Sequence, residues 1–140
     1  MADFNYQKTL EDIGNKLVDL TSDIIKVALC TAAYTAVQAT DHTLADIPSS
    51  AIVATATLSG KSFTGAVFDA DDVTFAAPPS GHTVTQAVIY QSDGASPEGT
   101  LLIRKISGDS YAGFPFVTSG SDIPLIWPND ANKIFSFVNA

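Results

Sequence analysis

Three carboxylates crowd into the octet Phe68-Asp69-Ala70-Asp71-Asp72-Val73-Thr74-Phe75. In an extended segment side chains alternate sides, so Asp69 and Asp71 face one way and Asp72 the other, and two carboxylates could share a hard cation such as calcium. The calcium-loop pattern of alternating acidic ligands with a glycine at the sixth position and a glutamate at the twelfth does not occur here. A carboxylate pair could also hydrolyse a glycosidic bond. Its neighbours are small and apolar, with no Arg, Tyr or His near in sequence. The competing explanation is an exposed turn whose aspartates accept hydrogen bonds from backbone amides.

Nucleophilic catalysis needs a base beside Ser, Thr or Cys, and His42 and His82 are the two histidines. His42 follows Asp41 in a polar stretch, His82 follows Gly81, and no Gly-x-Ser-x-Gly elbow occurs, so both read as surface histidines. Two histidines and the single Cys30 stand too far apart for the usual zinc spacings. No glycine-rich phosphate loop precedes a helix. These patterns imply no catalytic residues, metal or cofactor. Tyr6, Tyr34, Tyr90, Tyr111 and Trp127 could supply rings that stack on a sugar, or could fill a core and its rim.

Residues 51–107 set the architecture that must hold these groups. Short runs rich in Val, Ile, Thr and Phe alternate with clusters of Gly, Pro, Asp and Ser, the rhythm of a compact antiparallel β domain. From 84 to 90 the side chains separate with a period of two, Val84, Gln86, Val88 and Tyr90 on one face. Strands are predicted at 24–31, with Ile25, Val27 and Leu29 on one face, and at 51–58, 63–68, 73–75, 83–90, 101–106, 123–127 and 134–138. Pro124 and Pro128 make 123–127 an edge strand. Residues 34–47 read as a connection with at most a helical turn. About eight short strands favour a two-sheet sandwich over one open sheet. The expected core includes Val27, Leu29, Val53, Val67, Phe75, Val88, Ile103, Ile126 and Phe135.

Residues 1–22 form a separate N-terminal arm or short helix in this reading, and 23–140 the β-sandwich. Leu10, Ile13, Leu17 and Leu20 stand at helical spacing, interrupted by Gly14-Asn15. Phe4 and Tyr6 lie ahead of them with no evident local partner.

With 46% hydrophobic and 16% charged residues, the 140-residue chain is too apolar for disorder and long enough for one core. A net charge of -8 opposes binding to a phosphate backbone, because that binding rests on Lys and Arg displacing counterions. Neither nucleic acid nor an anionic membrane is an expected partner. One cysteine allows no internal disulfide. The first residues lack a signal peptide's basic and apolar regions, and no run is long enough to span a bilayer, so a soluble protein made in a cytoplasm is expected.

The segments Asp19-Leu20-Thr21-Ser22-Asp23-Ile24-Ile25-Lys26-Val27-Ala28-Leu29, Ala33-Tyr34-Thr35, the acidic octet, Ala87-Val88-Ile89-Tyr90, Gly113-Phe114-Pro115 and Gly120-Ser121-Asp122-Ile123-Pro124-Leu125-Ile126-Trp127 occur in that order. On them, across most of residues 19–127, the chain resembles the capsid cement, or decoration, proteins of tailed bacteriophages. That resemblance implies an all-β, jelly-roll-like virion protein on the outer surface of an icosahedral head, bridging major capsid subunits, associating with itself and catalysing nothing. A homodimer is expected, since a jelly roll leaves edge strands that a symmetric partner can cover. The alternatives are a carbohydrate-binding module of a tail or fibre, and a small hydrolase built on Asp69 to Asp72. Capsid or subunit contact is assigned to the aromatics of residues 2–22 and 108–122: Phe4, Tyr6, Tyr111, Phe114 and Phe116.

Overall fold

The computed structural model describes residues 3–92, 101–107, 113–127 and 133–136. The elements are β1 (Phe4–Asn5), α1 (Gln7–Gly14), β2 (Ile24–Cys30), 3-10 turns at Leu44–Asp46 and Ser49–Ala51, β3 (Ile52–Thr57), β4 (Ser62–Thr64), β5 (Val67–Asp69) and β6 (Val73–Phe75). There follow β7 (Thr83–Val84), β8 (Gln86–Ser92), β9 (Leu101–Ile106), β10 (Phe116–Val117), β11 (Ile123–Leu125) and β12 (Phe135–Ser136). The chain is mostly β, every paired strand being antiparallel.

A five-stranded sheet in the order β1-β9-β8-β2-β3 forms the centre. Its middle strands are apolar on both faces, as strands covered on both sides must be. On one face Ile25, Val27, Leu29, Ala87, Ile89 and Ile103 pack with Phe68, Phe75, Leu125 and Phe135 from the small ladders β12-β5-β4 and β11-β6. On the other, Ala28, Cys30, Val88, Tyr90 and Leu102 are covered by Tyr6 and by Tyr34, Ile47 and Ala51 of the connection between β2 and β3. That connection holds the two 3-10 turns, so its lack of sustained period reflects a cover that follows the sheet's contour.

Three expected strands change form. Residues 63–68 are a hairpin: Thr64 pairs with Val67 across Gly65-Ala66, whose φ angles of 62° and 63° match the left-handed geometry of tight hairpin turns. Residues 83–90 divide at Thr85, where β7 pairs with β10 and β8 enters the central sheet. Val84 therefore joins the opposite cluster from Val88 and Tyr90, and the expected single face is corrected there. In the third case β11 ends at Leu125, and Ile126 is 59% exposed where a core residue was expected. Leu125 and Trp127 point inward, so the residue between them turns out by the alternation of extended chain. Val53 and Val67 are half-buried rather than central. As expected, β11 is an edge strand: among the described residues it pairs with β6 alone, Pro124 opposite Thr74.

The N-terminal segment is built into the domain. Phe4 and Asn5 pair with Lys105 and Arg104 of β9, and the Arg104 Nη1 donates to Asn5 Oδ1 at 2.8 Å. Helix α1 buries Thr9 and Asp12 and leaves Leu10 exposed; beyond it Leu17 is exposed too, while Ile13 and Leu20 pack on the core. The expected apolar stripe is corrected on that point. Polar anchors fix the helix instead, because Thr9 Oγ1 donates to the Leu102 and Ile103 carbonyls, each at 3.0 Å, and Asp12 takes His42.

Candidate functional site

The aromatic residues assigned to contact fall in two places. Tyr6 is fully buried, meets Phe4 edge-on at 5.3 Å and 88°, and lies in the cluster with Tyr34. Phe4 is half-buried, with the Lys105 Nζ 4.8 Å from its ring centre. Both rings have local partners, which corrects the expectation that they had none. Phe114 and Phe116 stack at 5.7 Å on the opposite side of the central sheet, Phe114 buried and Phe116 half-buried. Tyr111 lies outside the described residues. The four placed rings therefore do not form one surface.

Several polar side chains singled out as chemical candidates are engaged in holding the fold. Asp72 Oδ1 accepts the Trp127 backbone N–H at 2.9 Å, and the Asp71 carbonyl accepts the Trp127 indole N–H at 3.1 Å. Asp69 ends β5 and Ala70 is buried, and residues 70–72, which link β5 to β6, anchor the tryptophan. Among the described residues no group of three His, Cys, Asp or Glu side chains is placed to hold a metal. The Asp71 carboxylate rests over Gly60, whose φ is 63°; an added Cβ would lie 2.5 Å from Asp71 Oδ2. Gly60→Ala is expected to cost about 1–2 kcal/mol for the left-handed backbone alone, more with the contact, as a lower urea midpoint. Adding Asp71→Ala should recover only the contact part.

His42 Nε2 sits 3.0 and 2.9 Å from the two oxygens of buried Asp12, joining α1 to the connection that covers the sheet. His82 is exposed. Tyr34 donates its hydroxyl proton to Asp41 Oδ2 at 2.6 Å, leaving its oxygen to accept from Tyr6, 2.8 Å away. Burial, reinforced for Tyr34 by the bond to Asp41, pushes both phenols far above their ordinary value, and burial pushes the Cys30 thiol up to about 12. The folded chain thus keeps protons that the unfolded chain releases in alkali. Stability is expected to be whole below about pH 9 and to fall as pH rises beyond it, because the unfolded state then binds fewer protons. Urea midpoints from about pH 8 to pH 11 test this, and Tyr34→Phe should flatten the decline.

Tyr6, Tyr34, Tyr90 and Trp127 are all buried, which removes four of the five rings proposed for a sugar platform. What opens to solvent instead is a groove of about 400 Å³ between the end of α1 and the β4–β5 hairpin, lined by Ile13, Lys16, Val18, Asp19, Leu20, Thr21 and Phe63. Exposed Leu17 belongs to the same segment as this lining. Asp19 braces the turn at its wall: its Oδ1 accepts the Thr21 and Ser22 backbone N–H groups, each at 3.1 Å, and the Thr21 hydroxyl at 3.0 Å. Those bonds hold the Asp19 carboxyl below its usual range.

No known protein family and no curated protein matches this chain.

Among the described residues no helix is long and apolar enough to cross a membrane. The groove's lining combines apolar Ile13, Val18, Leu20 and Phe63 with polar Lys16, Asp19 and Thr21. Sequence reasoning missed it because its wall joins residues distant in sequence, although the polar turn at 19–23 was legible.

Proposed function

We propose that this chain is a capsid cement, or decoration, protein: a virion structural part of jelly-roll type that binds the outside of an icosahedral phage head and bridges major capsid subunits. The observation that carries the proposal is the division of labour among side chains. Tyr6, Tyr34, Asp12, His42 and Asp72 serve internal bonds, while Phe63 lines the groove and Leu17, in the segment that forms its other wall, is exposed. Exposed apolar side chains beside a pocket mark interaction surfaces. The resemblance across residues 19–127 supplies the partner. Binding to the assembled shell and not to free subunits would shift the shell toward the intact state by mass action, without turnover.

Leu17→Glu tests the attachment. An exposed substitution should change stability by less than about 0.5 kcal/mol, yet a charge beside the groove should weaken decoration of purified undecorated heads. Undiminished decoration by a stably folded Leu17→Glu protein would move the attachment elsewhere.

A further inference from the structure

Helix α1 closes in a Schellman turn, with the Leu17 N–H donating to the Asp12 carbonyl at 2.8 Å and the Lys16 N–H to the Ile13 carbonyl at 3.1 Å. Both residues of that turn break its usual chemistry. Lys16 takes the left-handed position, φ 63°, where glycine bears no steric cost and a side chain does. Leu17 takes the next position, whose apolar side chain ordinarily packs on the end of the helix; the residues there are Asp12 and Glu11, and Leu17 stays 54% exposed. A cation near a helix C-terminus is favoured by the helix dipole. Position 14 would serve that purpose as well, since it is the last residue of α1 and a Cβ added to Gly14 meets nothing within 4 Å. The local rules therefore favour lysine at 14 and glycine at 16, the reverse of the sequence. Backbone strain kept against an easier alternative points to a function for the side chain that it places. Here it puts Lys16 on the lining of the groove, with Ile13, Val18, Leu20 and Phe63.

We propose that the groove takes a partner segment in which an apolar side chain stands beside an aspartate or glutamate, the apolar group entering the groove and the carboxylate meeting the Lys16 ammonium. The proposal rests on the reading of the groove as the attachment site. Two charged side chains line it, Lys16 and Asp19. Asp19 is committed to its own turn, through the three bonds to Oδ1 and through a 2.7 Å bond from its N–H to Asp23 Oδ2. Lys16 is exposed and forms no ion pair with a described residue. The cation is therefore the charge open to a partner. At net charge -8 the whole chain repels anions at a distance, so a preference for a carboxylate at the groove can come only from a local cation. Lys61, on the chain leading into β4, already has its ammonium on the Asp23 carbonyl.

The blocked tetrapeptide acetyl-Ala-Leu-Glu-Ala-amide and its Gln and Lys counterparts, titrated into the full chain and followed by backbone amide NMR, test the proposal. Shifts should concentrate at residues 13–21 and at Phe63. The Glu peptide should bind about two- to fivefold tighter than the Gln peptide, the range of an exposed ion pair, with the Lys peptide weakest. Lys16→Arg should keep the preference. Lys16→Gly should abolish it and at the same time raise the urea midpoint, because glycine relieves the left-handed turn. A lysine with a merely structural role would not move these two readouts in opposite directions. The proposal is overturned by equal binding of the Glu and Gln peptides, by tightest binding of the Lys peptide, or by a preference that survives Lys16→Gly. A midpoint that Lys16→Gly leaves unchanged or lowers, or no shifts at the groove with any peptide, would overturn it too. Heads play no part in this titration. A groove blind to charge therefore leaves the capsid reading standing, and failure to decorate heads leaves the carboxylate preference standing.

Discussion

Deleting residues 2–18 is expected to unfold the domain. The deletion removes fully buried Tyr6 with its bond to Tyr34, the two bonds of Thr9 to β9, the Asp12 to His42 pair, and the strand that closes one edge of the central sheet. It also removes Asp3, whose carboxylate accepts the Ser107 N–H at 2.6 Å. Losing one buried aromatic costs about 3–5 kcal/mol, and a typical domain has only about 5–15 kcal/mol in total. Circular dichroism on heating should show a lost or steeply lowered transition. A truncated protein melting within about 3 °C of the full chain, the shift of a perturbation under 1 kcal/mol, would put the segment outside the core.

Phe75→Ala should be among the most damaging single substitutions in the small ladders. The ring is 1% exposed, stands opposite Ile123 in the β6–β11 pair, and belongs to the cluster that joins the small ladders to the central sheet. Truncation leaves a cavity that close-packed neighbours refill only in part, with a cost of about 3–5 kcal/mol. Urea unfolding measures it through the midpoint at unchanged slope. A change under about 0.5 kcal/mol would show that the ring does not bear on the layers' packing.

The β-rich class was legible because strand patterning is local. Ile25, Val27 and Leu29 occupy one face as their alternation predicts, and Pro124 marks an edge strand because proline cannot donate to a second neighbour. What stayed hidden depends on contacts distant in sequence. Tyr6 looks solitary until β9 and Tyr34 come beside it from 28 or more residues away. The phase of 123–127 was misjudged at Ile126 because Trp127, drawn inward by Asp71 and Asp72, fixes which side faces the core. The hairpin at Gly65-Ala66 escaped notice because alanine seldom takes the left-handed conformation, which costs roughly 1–2 kcal/mol. At the candidate site the Asp19 turn was readable, whereas the groove exists only once Phe63 is brought against residues 13–21.

The proposed capsid role is tested most directly by the thermal stability of heads. Purified undecorated heads, titrated with this protein, should bind it to saturation and then disrupt at a higher temperature, with free major capsid protein binding little or none. Mass action predicts that the gain grows with protein concentration above the dissociation constant. Saturable binding that leaves the disruption temperature unchanged, or no binding to intact heads, would contradict the account.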